Sequence, residues 1–218
     1  HTPVQMISHD RTVVVKLDPD PEKILAGFTK KGRSSVRRSI RRAPVEVTDE
    51  TAQATADFSP YFVLMEETGD RQGFSHWDKD VYESMLRGLT EDHARFFAAR
   101  RDGRLVGWSV VTIAGPSAGY YYAASNEEGR ECRAPEQLVF AAASILGSEG
   151  LKELDLVGIG SDRAPSLDGL TAFKTKFAAE VTEVAPAYDV PVNKTLYRLL
   201  LALRQGKHRL TALRSRKR

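Results

Sequence analysis

Cysteine is almost absent from this chain. Cys132 stands alone among 218 residues, which excludes an internal disulfide and fits a reducing compartment, with cytoplasm as the expected location. No apolar run approaches the ~20 residues that cross a bilayer. Nothing at the start has the charged head and apolar core of a signal peptide, and an opening on His1 rather than Met reads as a fragment or a processed chain. The five histidines are scattered, with no His-x-x-x-His pair and no cysteine cluster, so no metal site is expected. A P-loop is missing, and so is the G-x-S-x-G elbow of serine hydrolases. The segment VGIGS echoes half of a dinucleotide fingerprint but lacks its third glycine. These absences point away from secreted disulfide scaffolds, metalloenzymes, nucleotide hydrolases and dinucleotide-dependent oxidoreductases.

Charge is plentiful but segregated. Lys30 to Arg42 holds seven basic residues and no acid, and Arg204 to Arg218 holds seven more, again without an acid. Outside these two segments 18 basic residues face 29 acidic ones, so an acidic body carries two cationic stretches. That pattern fits either a polyanionic partner such as RNA or merely solvated basic faces, with disorder expected for the last few residues.

Thr12 to Leu17 is β-branched and predicts a strand. A helix is expected from about Glu22 into the basic segment, weakened near Gly32 and stopped by Pro44. Asp49 can cap a helix that Pro60 breaks or restarts, and Asp78 can cap the next, with Val81, Met85, Leu86 and Leu89 as its inner face. A three-strand meander follows, with Asp102-Gly103 as its first hairpin turn. An alanine-rich helix from Pro135 to Leu146 precedes a buried strand at Leu151 to Leu156. A short strand pair around Val181 to Val190 and a helix from about Lys194 close the chain. The order predicts an α/β (α+β) protein with a mixed, largely antiparallel sheet flanked by helices.

In the segment after the buried strand, Leu170, Phe173 and Phe177 fall at helical spacing on one apolar face, and Lys174 lies nearer that face than Lys176 does. A lysine beside an apolar stripe, just past a strand end, is either a site cation or a solvated helix lysine. The order of meander, helix and strand resembles the N-acetyltransferase (GNAT) layout, in which a glycine-rich loop at a helix N-terminus holds the pyrophosphate of acetyl-CoA. The corresponding loop here, SNEEGRECRAP, has one glycine and three glutamates, Glu127, Glu128 and Glu131, which Arg130 and Arg133 offset in part. This reads as a GNAT-like fold whose CoA site has been lost, and no cofactor is expected.

Co-linear motifs carry a narrower resemblance: TVVVKLDPDPEKILAGFTKKGRSSVRRSIRRAPVEV, FVLMEETGDRQGF, DGRLVGWSVV, GYYYAASNEEGR, EGLKELDLVGIG, DGLTAFKTKFAAEV and PAYDVPVNKTLYRLL. Together, over Thr12 to Leu200, they resemble the Fem (FemABX-type) family of peptidoglycan branching-peptide aminoacyltransferases, which includes the methicillin-resistance factors of Gram-positive bacteria. Two departures stand out. Roughly a hundred residues that usually precede the TVVVKL strand are missing here, and FAAE replaces the family's glycine step after the Phe-Lys pair. The resemblance therefore implies a second GNAT-like subdomain over 21–190, with 1–20 and 191–218 as the remnant of a first.

It also implies a reaction: a stem-peptide amine of a peptidoglycan precursor attacks the ester of an aminoacyl-tRNA, with no metal or redox cofactor. By the same resemblance Lys174 is the catalytic cation and Phe173 shapes the pocket. Arg71 contacts the precursor's diphosphate or sugar, and either Tyr121 or Tyr122 lines the precursor channel. Arg33, Arg37, Arg38 and Arg41 then become contacts to tRNA phosphates. Glu66, Glu67 and Asp155 are the carboxylates that could accept the proton. Peripheral membrane association would come through a lipid-linked precursor. The alternatives are an acyl-CoA-dependent N-acyltransferase and a non-catalytic fragment that binds RNA or another polyanion.

Overall fold

The computed structural model describes residues 9–185 and 190–203. The chain divides into two compact units, Ser8–Val184 and His1–Ile7 with Ala185–Arg218. In the smaller unit, residues 194–203 are helical as expected, capped by the Asn193 side chain, which accepts from the amides of Thr195 and Leu196 at 3.1 and 3.0 Å. The basic segment Arg204 to Arg218 lies outside the described residues, as do residues 1–8 and 186–189.

The larger unit begins with strands β1 (Arg11–Thr12) and β2 (Val14–Lys16). Helix α1 (Pro21–Gly27) has Pro21 at its start and Asp20 as its cap, both set by side-chain chemistry. The single helix expected from Glu22 is two. Phe28 drops into the core at 2% exposure, and the Thr29 hydroxyl caps the amide of Gly32 at 3.1 Å, opening α2 (Lys30–Arg42). Gly32 is required there, because a Cβ would stand 2.0 Å from the Lys176 carbonyl oxygen. Next come β3 (Glu46–Asp49), α3 (Thr51–Ala56), α4 (Ser59–Gln72) and α5 (Lys79–His93). Pro60 sits in the first turn of α4, so it restarts the helix. The inner face expected for α5 holds at Met85, Leu86 and Leu89 and differs at its first position. Val81 is exposed, whereas Tyr82 is buried and stacks on Phe58 with centroids 5.1 Å apart. A large stacked ring buries more surface than a valine, and it takes the inward position.

The meander is β4 (Ala94–Arg101), β5 (Arg104–Ala114) and β6 (Ser117–Ser125). Asp102 and Gly103 both have positive φ (49° and 77°), as a tight hairpin turn of the primed kind requires. After it come α6 (Glu127–Glu131), α7 (Ala134–Ser148), β7 (Glu153–Asp155), α8 (Asp168–Lys174) and β8 (Thr182–Glu183). The sheet runs β2-β7-β6-β5-β4-β3, antiparallel throughout except for the parallel β6–β7 pair; β1 pairs separately with β8. Strand alternation splits the core in two. On β4, Phe97 and Ala99 join the layer under α1, α2 and α7, while Phe96 and Ala98 join an aromatic layer with Phe58, Tyr82 and Trp108 from the α3–α5 side and β5. Among the described residues no helix is long and apolar enough to cross a membrane.

Candidate active site

Strands β6 and β7 are paired only over Ser117–Gly119 and Glu153–Asp155, and beyond this the pairing stops. A cleft of about 510 Å³ follows the unpaired length of β6. Its walls come from β6 (Tyr120 and Ala123 to Ser125), α4 (Thr68, Arg71, Gln72), the α6–α7 corner (Arg130, Glu131, Arg133, Glu136) and α8 (Gly169, Leu170, Phe173).

A β-bulge decides which tyrosine serves this cleft. Val110 pairs with Tyr122 and Val111 with Tyr120, leaving Tyr121 as the extra residue. The bulge reverses the alternation, so Tyr120 packs in the α7-side layer while Tyr122 packs against Tyr82 on the other side, at 5.2 Å. Tyr121 is half exposed, and neither it nor Tyr122 lines the cleft. Strict alternation had to choose between those two, and only pairing register, which a single strand's sequence does not carry, reveals Tyr120. Its hydroxyl and that of Ser109 are buried beside each other, and neither has another hydrogen-bond partner. Burial pushes the Tyr120 phenol's pKa up, so the group stays a neutral donor.

Arg71 donates to the Ser125 carbonyl at 3.1 Å and to the Thr68 hydroxyl at 3.4 Å, and Arg130 reaches the same carbonyl at 3.5 Å. Burial and the Arg130 charge both push the Arg71 pKa down, and Glu67 opposes them. Neither arginine has an ion-pair partner within 4.0 Å among the described residues. Two guanidinium groups converging on one carbonyl leave several N–H donors free toward the cleft, a geometry that suits an anion.

Lys174 is buried, with 9% of its surface exposed, and it lines neither this cleft nor the neighbouring one. Its ammonium group donates to the carbonyls of Val157 and Gly158, the latter at 2.8 Å. Both acceptors have left-handed backbones (φ 55° and 54°), a strained state for a β-branched valine. Asp155 helps to hold the turn by accepting from the Val157 amide at 2.7 Å and from the Thr12 hydroxyl. Burial pushes the lysine pKa down to about 8, with Asp155 partly opposing. The lysine thus ties α8 to the glycine-rich exit of β7, and Phe173 beside it forms part of the cleft wall.

A second cleft, about 490 Å³, lies between α2 and α8 and shares Arg133, Gly169 and Phe173 with the first. Of the four α2 arginines expected to meet tRNA phosphates, Arg38 lines it. Arg33 instead donates to the carbonyls of Ala26 and Phe28 at the end of α1, and Arg37 pairs with Glu22 at 2.8 Å. Arg41 lies in the last turn of α2 and lines neither cleft.

The N-terminus of α7, where a GNAT enzyme would hold a pyrophosphate, carries an acid and no side-chain cap. Pro135 removes one amide donor, and the buried Glu136 carboxylate fills the first turn, 2.9 Å from Lys176, 3.3 Å from Ser35 and 3.6 Å from Arg133. In the preceding loop the Asn126 side chain takes the Gly129 amide at 2.9 Å, and a Cβ at Gly129 would stand 2.0 Å from the Val106 carbonyl oxygen. Its glycine therefore serves packing against β5.

Comparison with known proteins agrees with this architecture. The acetyltransferase (GNAT) domain family model matches residues 30–175. The UDP-N-acetylmuramoylpentapeptide-lysine N(6)-alanyltransferase of Weissella viridescens is 25% identical over 178 residues, 82% of this chain and 50% of that protein. The lipid II:glycine glycyltransferase of Staphylococcus aureus (strain USA300) is 22% identical over a 272-residue alignment, 92% of this chain and 62% of that protein. The chain thus spans between half and two thirds of the curated relatives it matches. A crystal structure of FemX superposes with a TM-score of 0.78 at 19% identity, over 89% of this chain and 65% of that one. The chain belongs to the acetyltransferase (GNAT) domain family and, within it, is similar to the Fem-type transferases.

Proposed function

We propose that this chain takes part in transferring an amino acid from aminoacyl-tRNA to the stem-peptide amine of a peptidoglycan precursor. The observation that carries the reading is the first cleft: Arg71 and Arg130, without ion-pair partners among the described residues, converge on the Ser125 carbonyl in its wall, and the buried Glu136 carboxylate places negative charge in the first turn of α7. The arginines suit the diphosphate or sugar of a lipid- or nucleotide-linked precursor, whose amine then extends along the cleft toward Phe173. The amine attacks the ester carbonyl, the C–N bond forms, and the ester C–O bond breaks. The amine's proton ends on the departing ribose hydroxyl. An activated ester needs little beyond positioning and oxyanion stabilisation.

Lys174 contributes by ordering the exit loop through the Val157 and Gly158 carbonyls. Membrane association is peripheral and comes through a lipid-linked substrate. The test incubates the full chain with UDP-linked or lipid-linked muropeptide and mixed charged tRNAs. A mass gain of one amino-acid residue is expected, with the KM for precursor raised roughly 10- to 100-fold in Arg71→Ala, the worth of a charged hydrogen bond. Turnover of acetyl-CoA with no gain from any charged tRNA would assign the chain to CoA-dependent acylation instead.

A further inference from the structure

The loop between α4 and α5, residues 73–78, carries aromatic surface that the fold leaves uncovered. Phe74 is 45% exposed and Trp77 63% exposed. The loop is nevertheless held in place. Gly73, with φ 70°, ends α4, and the Gly73 and Phe74 amides donate to the Gly69 carbonyl at 2.8 and 3.2 Å. A Cβ at Gly69 would stand 2.9 Å from the His76 ring and 3.0 Å from the Phe74 carbonyl oxygen, so the loop lies directly on α4. The His76 ring packs edge-on against Phe62, with centroids 5.2 Å apart. The Trp77 indole and backbone amide stand beside the hydroxyls of Tyr122 and Tyr82. Polar groups of Trp77 thus point inward while most of its ring is open to solvent. A ring already fixed in this way loses little freedom when an apolar surface covers it.

Charge around the loop is mixed. Asp70, Asp78 and Asp80 accompany Arg71 and Lys79, and Lys79 pairs with Glu83 at 3.2 Å. A polyanion finds no cationic track here, so the rings call for an apolar cover. A bilayer interface supplies one, because indole and phenyl rings settle at headgroup level with acyl chains against their faces. Position favours the same occupant. Phe74 lies three residues past Arg71, the cleft arginine that suits a diphosphate, and a lipid-linked precursor carries its diphosphate at the headgroup level of its membrane.

We propose that Phe74 and Trp77 dip into the interfacial layer of a lipid bilayer and hold the first cleft at the membrane surface. The inference takes its orientation from the transfer reading above and deepens it, since it sets Arg71 at the depth of a lipid-linked diphosphate. The anchor belongs to the chain itself and needs no bound substrate.

Only two tryptophans are present and Trp108 is fully buried, so a change of tryptophan emission on adding lipid reports Trp77. The test mixes the full chain with vesicles of phosphatidylcholine brominated on its acyl chains, a zwitterionic lipid that offers the basic segments no net charge. Emission should shift to the blue and be quenched by the bromines, equally at low and high salt. Vesicle flotation then compares variants. About half of each ring is still exposed, so removing one should weaken partitioning roughly fivefold, and Phe74→Ser/Trp77→Ser about 25-fold. Phe74→Ser alone keeps the Trp77 reporter and its tyrosine contacts, which separates lost partitioning from lost folding. Ile40→Ala, at an exposed apolar residue of α2, should match the wild type. Unquenched emission overturns the proposal, as does flotation that survives in the double variant. Blue-shifted emission without lipid, in a protein that sediments as a dimer, would assign the rings to a second copy of the chain instead. Transfer to soluble UDP-linked muropeptide by a protein that shows no quenching would refute the anchor while sparing the transfer reading. Quenching in a protein that transfers nothing would do the reverse.

Discussion

Replacing Lys174 with methionine keeps most of the side chain's volume and removes its charge, and the consequence has a calculable pH dependence. In the folded protein burial lowers the lysine pKa from 10.5 to about 8. Between those two values the unfolded chain holds a proton that the folded chain has lost. Stability therefore rises with pH across that window, and the burial cost of the charged form is fully present below pH 8. From pH 7 to pH 9.5 the gain works out at ~2 kcal/mol. Methionine does not titrate, so the stability difference between wild type and Lys174→Met should grow by that amount in favour of the wild type. At pH 7 alone the sign is not diagnostic. The variant escapes the burial cost of a cation but leaves the Val157 and Gly158 carbonyls without their donor, at ~1–3 kcal/mol for each group left unsatisfied. Urea unfolding followed by fluorescence of the buried Trp108 at both pH values gives the difference directly. Parallel pH profiles for the two proteins would refute the buried, depressed lysine and its tie to the exit loop.

Gly32→Ala sets two principles against each other. Helix propensity alone would stabilise α2 by ~1 kcal/mol, but the new Cβ would meet the Lys176 carbonyl oxygen at 2.0 Å, so a net loss of ~1–3 kcal/mol is expected in thermal unfolding. Tyr120→Phe removes a fully buried hydroxyl paired with no group but the Ser109 hydroxyl, so thermal unfolding should shift by no more than ~1 kcal/mol; a loss of several kcal/mol would mean that this pair of hydroxyls holds the fold.

Much of the fold was legible because its signals are local. Asp102-Gly103 demanded a tight turn, Pro60 a helix start, and the β-branched run at Thr12 a strand. Misreadings fell where tertiary contacts decide. Nothing near Phe28 in sequence says that its ring is wanted against Phe177, 5.2 Å away, which is what breaks the helix before the basic segment. Tyr82 displaced Val81 because Phe58, on another helix, offered a stacking partner. At the site, Arg71 and Phe173 could be placed in the cleft wall from their motifs, and Lys174 could be placed in the apolar face from helical spacing. Tyr120 was hidden by a bulge. Arg130 and Arg133 had been weighed only as offsets to the glutamates of their loop, although they line the clefts themselves.

The short parallel contact between β6 and β7 has a kinetic side. The meander and the helices around it join neighbours close in sequence, but β7 takes as its other partner β2, with Val14 opposite Asp155. The loop closed by that pairing spans most of the larger unit, and closure entropy grows with the logarithm of loop length. Such a long-range contact forms late and slows folding. During synthesis β2 waits, unpaired and β-branched, until β7 has left the ribosome, and β7 has an open edge until β2 arrives. Removing residues 9–17 would leave that edge permanently bare, a template for pairing with other chains, so these few residues at the sheet's end guard the protein against self-association.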